Sequence, residues 1–182
     1  MADEAQQKVI TPEAVISYPA LFSPKANDRG EEFYSCALVF PAGTDLSELK
    51  AAALAAGKAK FGAKFNPESP AYTWPFRTDV EEKGYPAGST FFNCKSKGKP
   101  GVVDRYAGAD GKPRPITDPE EVYAGAKVRA SVRFYAFDTK GNKGVAVALN
   151  NVQKLGDGPR LDSRMRAEDE FDAEEGEASA LS

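Results

Sequence analysis

The segment Lys127-Val128-Arg129-Ala130-Ser131-Val132-Arg133-Phe134-Tyr135-Ala136-Phe137-Asp138 reads as a strand with two chemically different faces. Side chains alternate sides along a β-strand. Val128, Ala130, Val132, Phe134 and Ala136 make one face, small and apolar, as the inside of a barrel requires. Lys127, Arg129, Ser131, Arg133, Tyr135 and Phe137 make the other. Unpaired arginines cannot sit in a core, so this second face lies outside or in a groove. Tyr135 and Phe137 thereby fall on the arginine side, where a purely structural strand carries polar residues. Two readings of the rings are open: they pack under a loop or helix, or they meet a ligand. A β-bulge would also shift the phase of the strand's second half.

Working outward, Asp138-Thr139-Lys140-Gly141-Asn142 is a hairpin turn into a second strand, Lys143 to Val152. Upstream, Val9 to Tyr18 and Glu31 to Phe40 are rich in β-branched and aromatic residues, and Asn27-Asp28-Arg29-Gly30 separates them as the loop of a hairpin. Thr44 or Asp45 caps a helix, with Glu48 three residues after Asp45. Leu46, Leu49, Ala53 and Ala56 recur at helical spacing, and Gly62 offers a stop. This narrow stripe suits a helix covering one side of a sheet. Asn66 to Gly88 is irregular and contains Trp74-Pro75-Phe76-Arg77; Ser89 to Lys95 resumes as a strand. A Pro/Gly-rich connection, Gly98 to Gly125, is long enough to be functional or mobile. Five or more strands with one helix of about 15 residues predict a compact, mainly β barrel.

The composition narrows the chemistry. The chain has 182 residues, 41% hydrophobic and 28% charged, which suits one domain with some unpacked chain. No stretch approaches the roughly 18 consecutive apolar residues of a membrane span. Met1 to Lys8 is polar and acidic, so no signal peptide is expected, and the expected setting is cytoplasmic. Histidine is absent, which removes Ser-His-Asp and Cys-His catalysis and imidazole metal ligands. Cys36 and Cys94, far apart in apolar stretches, cannot hold a structural zinc without histidine partners. They read as two buried thiols, with a single bridge as the minor case. Gly108 to Lys112 lacks the P-loop pattern, and Asp138 to Gly144 places lysines where a calcium loop needs ligands. Asp79, Glu81 and Glu82 could bind Mg²⁺ in a nuclease, but beside Lys83 in a loop and without a partner set they read as solvated surface. No cofactor is expected.

Charge is split along the chain. Ala167 to Ser182 holds seven acids and no Lys or Arg, which leaves 20 acids against 24 basic residues in Met1 to Arg166. A body of formal charge +4 thus carries a tail of −7: Glu168, Asp169, Glu170, Asp172, Glu174, Glu175 and Glu177, with Phe171 its one aromatic. Such a run buries too little apolar surface to offset its ordering entropy and is expected to be disordered. It serves either solubility or competition for a cationic groove or basic partner. The expected division is a binding domain over 1–160 and an acidic tail over 161–182.

Basic groups interleaved with aromatics fit single-stranded nucleic acid, because cations follow the phosphates and flat rings stack on exposed bases. Arg129, Arg133, Tyr135 and Phe137 are the central candidates. Lys95, Lys97 and Lys99, then Arg105 and Tyr106, and the cluster of Trp74 and Arg77, are further candidates for the same surface. A lone Trp in a small domain is more often core, and the lysine run also reads as a solvated hairpin rim.

The segments Val122-Tyr123-Ala124-Gly125, Val128 to Tyr135, Gly141-Asn142-Lys143-Gly144-Val145 and Leu149-Asn150-Asn151-Val152-Gln153 together resemble the closing hairpin of phage single-stranded DNA-binding proteins. The opening strands, the Ala-rich helix and the acidic end fit the same family over most of the chain. The resemblance implies a five-stranded OB-fold barrel that coats single-stranded DNA in replication or recombination, without catalysis. It also implies that the tail shields the DNA groove and recruits replication proteins. Relatives that end on an aromatic residue differ from this chain, which ends Ser179-Ala180-Leu181-Ser182. The shielding role needs only charge. A homodimer is among the expected assemblies. An assembly protein, a metal-dependent nuclease and an RNA-binding protein are the competing readings.

Overall fold

The computed structural model describes residues 8–161. In chain order its elements are β1 (Val9–Ile10), β2 (Ala14–Ala26), β3 (Glu32–Phe40), α1 (Ser47–Phe61), β4 (Thr90–Ser96), β5 (Gly101–Ala107), β6 (Pro113–Pro115), β7 (Lys127–Thr139) and β8 (Asn142–Gly156). Single 3₁₀ turns occupy Glu81–Lys83 and Pro119–Glu121.

Pairing runs β2 to β3 to β4, all antiparallel, then β4 to β8 in parallel and β8 to β7 antiparallel. β7 returns to β2 through Ala14↔Val128 and Val15↔Lys127, so these five strands form a closed ring with OB-like order. Among the described residues the fold is mainly β with one α-helix, as the sequence predicts. β1 is added on β7 through Val9↔Val132 and Ile10↔Ser131. The free edge of β8 is covered in turn by Thr73 at Gly144, by Lys95 at Ala148 and by β5 from Asn151 onward.

Two elements depart from expectation. The connection from Gly98 to Gly125 is not one loop but holds the β5–β6 hairpin. β5 has only the pair Val102-Val103 to bury, so its strand state comes from the waiting edge of β8 rather than from its own pattern. β2 continues past Tyr18 to Ala26, through Pro19 and Pro24. Its register against β3 slips between Ser17 and Ala20 and again before Lys25, and proline is tolerated at such irregularities.

The barrel interior is filled by Ile16, Leu38, Phe40, Phe92, Val132 and Phe134, all almost wholly buried. α1 packs on β7 and β8 and buries Leu49, Ala53 and Ala56, with Leu46 just before it, the stripe its spacing predicts. Leu46 rather than Thr44 or Asp45 stands at the N-cap, while the Asp45 carboxylate accepts hydrogen bonds from the Ser47 N–H (3.0 Å) and hydroxyl (2.6 Å). Gly62, at φ 84°, ends the helix. Gly57 lies so close under the ring of Phe65 that any Cβ would collide with it. Phe65 in turn begins a chain of ring contacts through Tyr72, Trp74 and Phe76 that reaches Phe92 and Phe134. The irregular segment after α1 is thus a ring plug on the barrel.

Cys36 and Cys94 face each other across β3 and β4. Both are buried free thiols with their sulfurs 3.5 Å apart.

Candidate nucleic-acid interface

β7 buries Val128, Ala130, Val132 and Phe134 and exposes Arg129 and Arg133, as alternation demands. Tyr135, Ala136 and Phe137 are half-buried. The pairing of β7 with β8 has two irregularities, and in each the extra residue, Asn150 or Leu155, lies on β8. The phase of β7 therefore survives to its end, and Tyr135 and Phe137 stay on the arginine face.

Register places the neighbours of that face. Arg133 is opposite Ala148, Ala148 is opposite Lys95, and Lys95 is opposite Ser35. Next along β7, Tyr135 is opposite Ala146 and Phe137 opposite Gly144. On that side β8 carries Ala148 between Arg133 and Lys95, then Ala146, and then Gly144 under the Thr73 backbone, while Val145, Val147 and Leu149 point into the core. With neighbouring strands roughly 4.8 Å apart, Arg133 and Lys95 flank a shallow trough about 10 Å across.

The rim is cationic. The Lys95 ammonium sits 4.4 Å from the centre of the Phe33 ring and that of Lys97 5.8 Å from it. Lys99 is exposed in the turn between β4 and β5. Arg129, about 13 Å along β7 from Arg133 by strand rise, donates from Nε to Oε1 of Gln153 (2.7 Å). Gln153 donates from Nε2 to the Asp104 carbonyl on β5. Arg105 donates from Nη1 to the Leu155 carbonyl (3.2 Å) and lies 5.8 Å from the ring of Tyr106, which is 70% exposed. Arg129 and Arg105 thus both bond to β8, at Gln153 and Leu155, with Tyr106 next to Arg105. Burial holds the Tyr135 phenol above its usual range, with Arg133 pulling weakly the other way.

Two candidates are engaged elsewhere. Trp74 is half-buried in the ring plug, 6.2 Å from Phe65 and 5.4 Å from Phe76. Arg77 forms a two-pronged bond with Asp79 (Nε–Oδ1 3.1 Å, Nη2–Oδ2 2.6 Å) and covers the Phe91 ring at 5.1 Å. That bond holds the Asp79 carboxyl below its usual pKa. Among the described residues no three carboxylates or thiols are grouped to hold a metal ion. Glu168, Asp169, Glu170, Phe171, Asp172, Glu174, Glu175 and Glu177 lie outside the described residues.

Phe33 is the residue that sequence reading missed. With Cys36, Leu38 and Phe40 pointing inward, it stands in the outward phase of β3, and that parity was the available signal.

Fold and site together define a class: a small OB-like barrel with a cationic, aromatic trough on its outer wall. The chain belongs to the family of the single-stranded DNA-binding protein of Enterobacter phage Enc34, whose family model matches residues 7–181. The Enc34 protein solved in complex with single-stranded DNA superposes with a TM-score of 0.70 at 20% identity, over 85% of this chain and 89% of that one. The single-stranded DNA-binding protein gp2.5 of bacteriophage T7 follows at 0.55 and 15%, over 89% and 98%. At these identities the two structures speak for the fold alone. Protein p50 of Acyrthosiphon pisum secondary endosymbiont phage 1 is 37% identical over 82 residues, 43% of this chain, and the match spans 39% of p50.

Proposed function

We propose that this chain is a sequence-tolerant, non-enzymatic single-stranded DNA-binding protein that coats DNA during phage replication or recombination in the host cytoplasm. The cross-strand row Arg133–Ala148–Lys95 carries the reading: two cations flanking a floor of small side chains fit a sugar-phosphate chain laid along β8. Arg129, Arg133, Arg105 and the lysines Lys95, Lys97 and Lys99 contact phosphates. Tyr135, Phe137, Tyr106 and Phe33 offer rings to the bases, each stack being worth roughly 1–3 kcal/mol whatever the base. Trp74 supports the trough through the ring plug, and Arg77 enters the interface only by giving up Asp79. Family membership supports the reading, since the relatives solved in this fold are named for binding single-stranded DNA.

Affinity for oligo-dT measured against salt, with a matched duplex and an RNA oligomer as controls, tests this directly. Tight dT binding with a steep negative salt slope and weak duplex binding is expected. Equal, weak binding to all three would overturn it, and preference for RNA would redirect it. The acidic residues from Glu168 to Glu177 screen the trough cations by their charge and so weaken DNA binding. Removing Ala167 to Ser182 then tightens dT binding, most at low salt, and unchanged affinity would refute that role.

A further inference from the structure

A second concavity lies away from the trough. Ser17–Lys25 of β2, Lys83–Tyr85, and Pro119 with Val122–Ala124 enclose a groove of about 980 Å³. Its apolar lining includes Tyr18, Phe22, Tyr85 and Tyr123, and Lys25 and Lys83 supply its charge. Tyr18 is held at φ 48°, a left-handed conformation that is costly for an aromatic residue, and is 62% exposed. Beyond Ile16, β2 has β3 on one edge, and among the described residues no strand is paired along the other. An open strand edge beside an apolar groove accepts an extended peptide, with backbone bonds for affinity and pockets for its side chains.

The position of the described chain's last residue points to the occupant. Leu161 itself lines the groove, tied by its N–H to the Ala124 carbonyl at 2.9 Å. Residues 162–182 therefore set out from the groove mouth. The first aromatic among them is Phe171, ten positions on, flanked by Glu168, Asp169, Glu170 and Asp172. Ten residues span up to about 35 Å, ample for Phe171 to double back. The lining matches that charge: Lys25 and Lys83 are both exposed in it, whereas Lys154, near the Tyr123 ring, is already paired with Asp157 at 2.9 Å.

We propose that this groove seats the chain's own acidic segment, with Phe171 among Tyr18, Phe22 and Tyr123 and the neighbouring carboxylates on Lys25 and Lys83. The seat is separate from the trough and adjoins it. Lys25 is paired with Phe33, the ring under Lys95 and Lys97, so acids held at Lys25 stand beside the trough rim. The seating itself does not depend on the proposed function; only its consequence for DNA does.

The test uses the full-length chain with Phe171→p-benzoylphenylalanine, irradiated and mapped by mass spectrometry. Expected crosslinks fall in residues 17–25, 83–85 or 122–124 of the same molecule. Crosslinks to 93–99 or 129–137, crosslinked dimers, or no crosslink would each overturn the proposal. Adding Lys25→Glu and Lys83→Glu should cut the yield roughly threefold or more, the size expected for losing two exposed ion pairs. An unchanged yield in a variant that melts like its parent also overturns it. Oligo-dT affinity measured on the same samples separates the two readings, because failure to bind dT counts against the proposed function and leaves the crosslink map to decide the groove.

Discussion

Arg133→Ala separates a phosphate contact from a structural arginine. Arg133 is exposed at the middle of the trough wall and, among the described residues, has no hydrogen bond or ion pair. Its loss should therefore leave stability within about 0.5 kcal/mol of wild type. Each phosphate neutralised on a single strand contributes about 0.7 to the slope of log K against log salt. Six cations on this face correspond to a slope of roughly −4, and the variant should show about 0.7 less. If counterion release alone carries the contact, affinity falls about 8-fold at 50 mM salt and about 3-fold at 200 mM, so the gap narrows as salt rises. Fluorescence anisotropy with labelled oligo-dT between these concentrations measures both. Arg77→Ala is the internal control: its charge is already neutralised by Asp79, so its slope should stay at the wild-type value. A variant at Arg133 with the wild-type slope, or equal slope losses at Arg77 and Arg133, would refute the assignment of cations by free charge.

Tyr135→Ala should weaken oligo-dT binding by about 5- to 150-fold with the salt slope unchanged, since stacking releases no counterion, and Tyr135→Phe should bind like wild type. Equal losses in both variants would show that the hydroxyl, not the ring, matters. Gly144→Ala should lower the melting temperature by about 5–15 °C. A Cβ there would collide with the Thr73 backbone and break Thr73 N–H to Lys143 and Val145 N–H to Thr73, a loss of about 2–4 kcal/mol with the loosened plug. An unchanged melting curve would mean the 73–77 segment is not held by β8. The hydrogen bond to Cys36 and burial hold the Cys94 thiol well above its usual pKa. The unfolded chain then loses this proton first, so stability should be complete below pH about 8.5 and fall by up to about 1.4 kcal/mol per pH unit above it. Urea melts at pH 8 to 10 measure this, and Cys94→Ala should flatten the dependence; an identical slope in the variant would place its origin elsewhere.

What sequence makes legible here is whatever depends on parity or local spacing. The two faces of β7, its hairpin with β8 and the buried stripe of α1 each repeat within a few residues, so each was readable without knowing a partner. β5 and the far half of β2 were not readable for the opposite reason. Val102-Val103 is too short a run to declare a strand, and the prolines of β2 argue against one; both become strands because a distant edge, β8 or β3, offers hydrogen bonds. The ring plug is likewise set by contacts between segments far apart in the chain, of Phe76 with Phe92 and Phe134.

The site divides along the same line. Arg129, Arg133 and Tyr135 were visible because the strand that carries them is regular. Whether a cation is free to meet a phosphate was not visible, and here it separates the candidates: the same residue type is open at Arg133 and closed by Asp79 at Arg77. The trough floor shows why register matters most. Ala146 and Ala148 alternate with Val145, Val147 and Leu149, and in sequence they pass for an ordinary outward face too small to do anything. Only when Ala148 is found between Arg133 and Lys95 does that smallness acquire a use, because larger side chains there would fill the space between the two cationic walls. Binding capacity in this barrel is thus as much a matter of what β8 lacks as of what β7 and β4 carry.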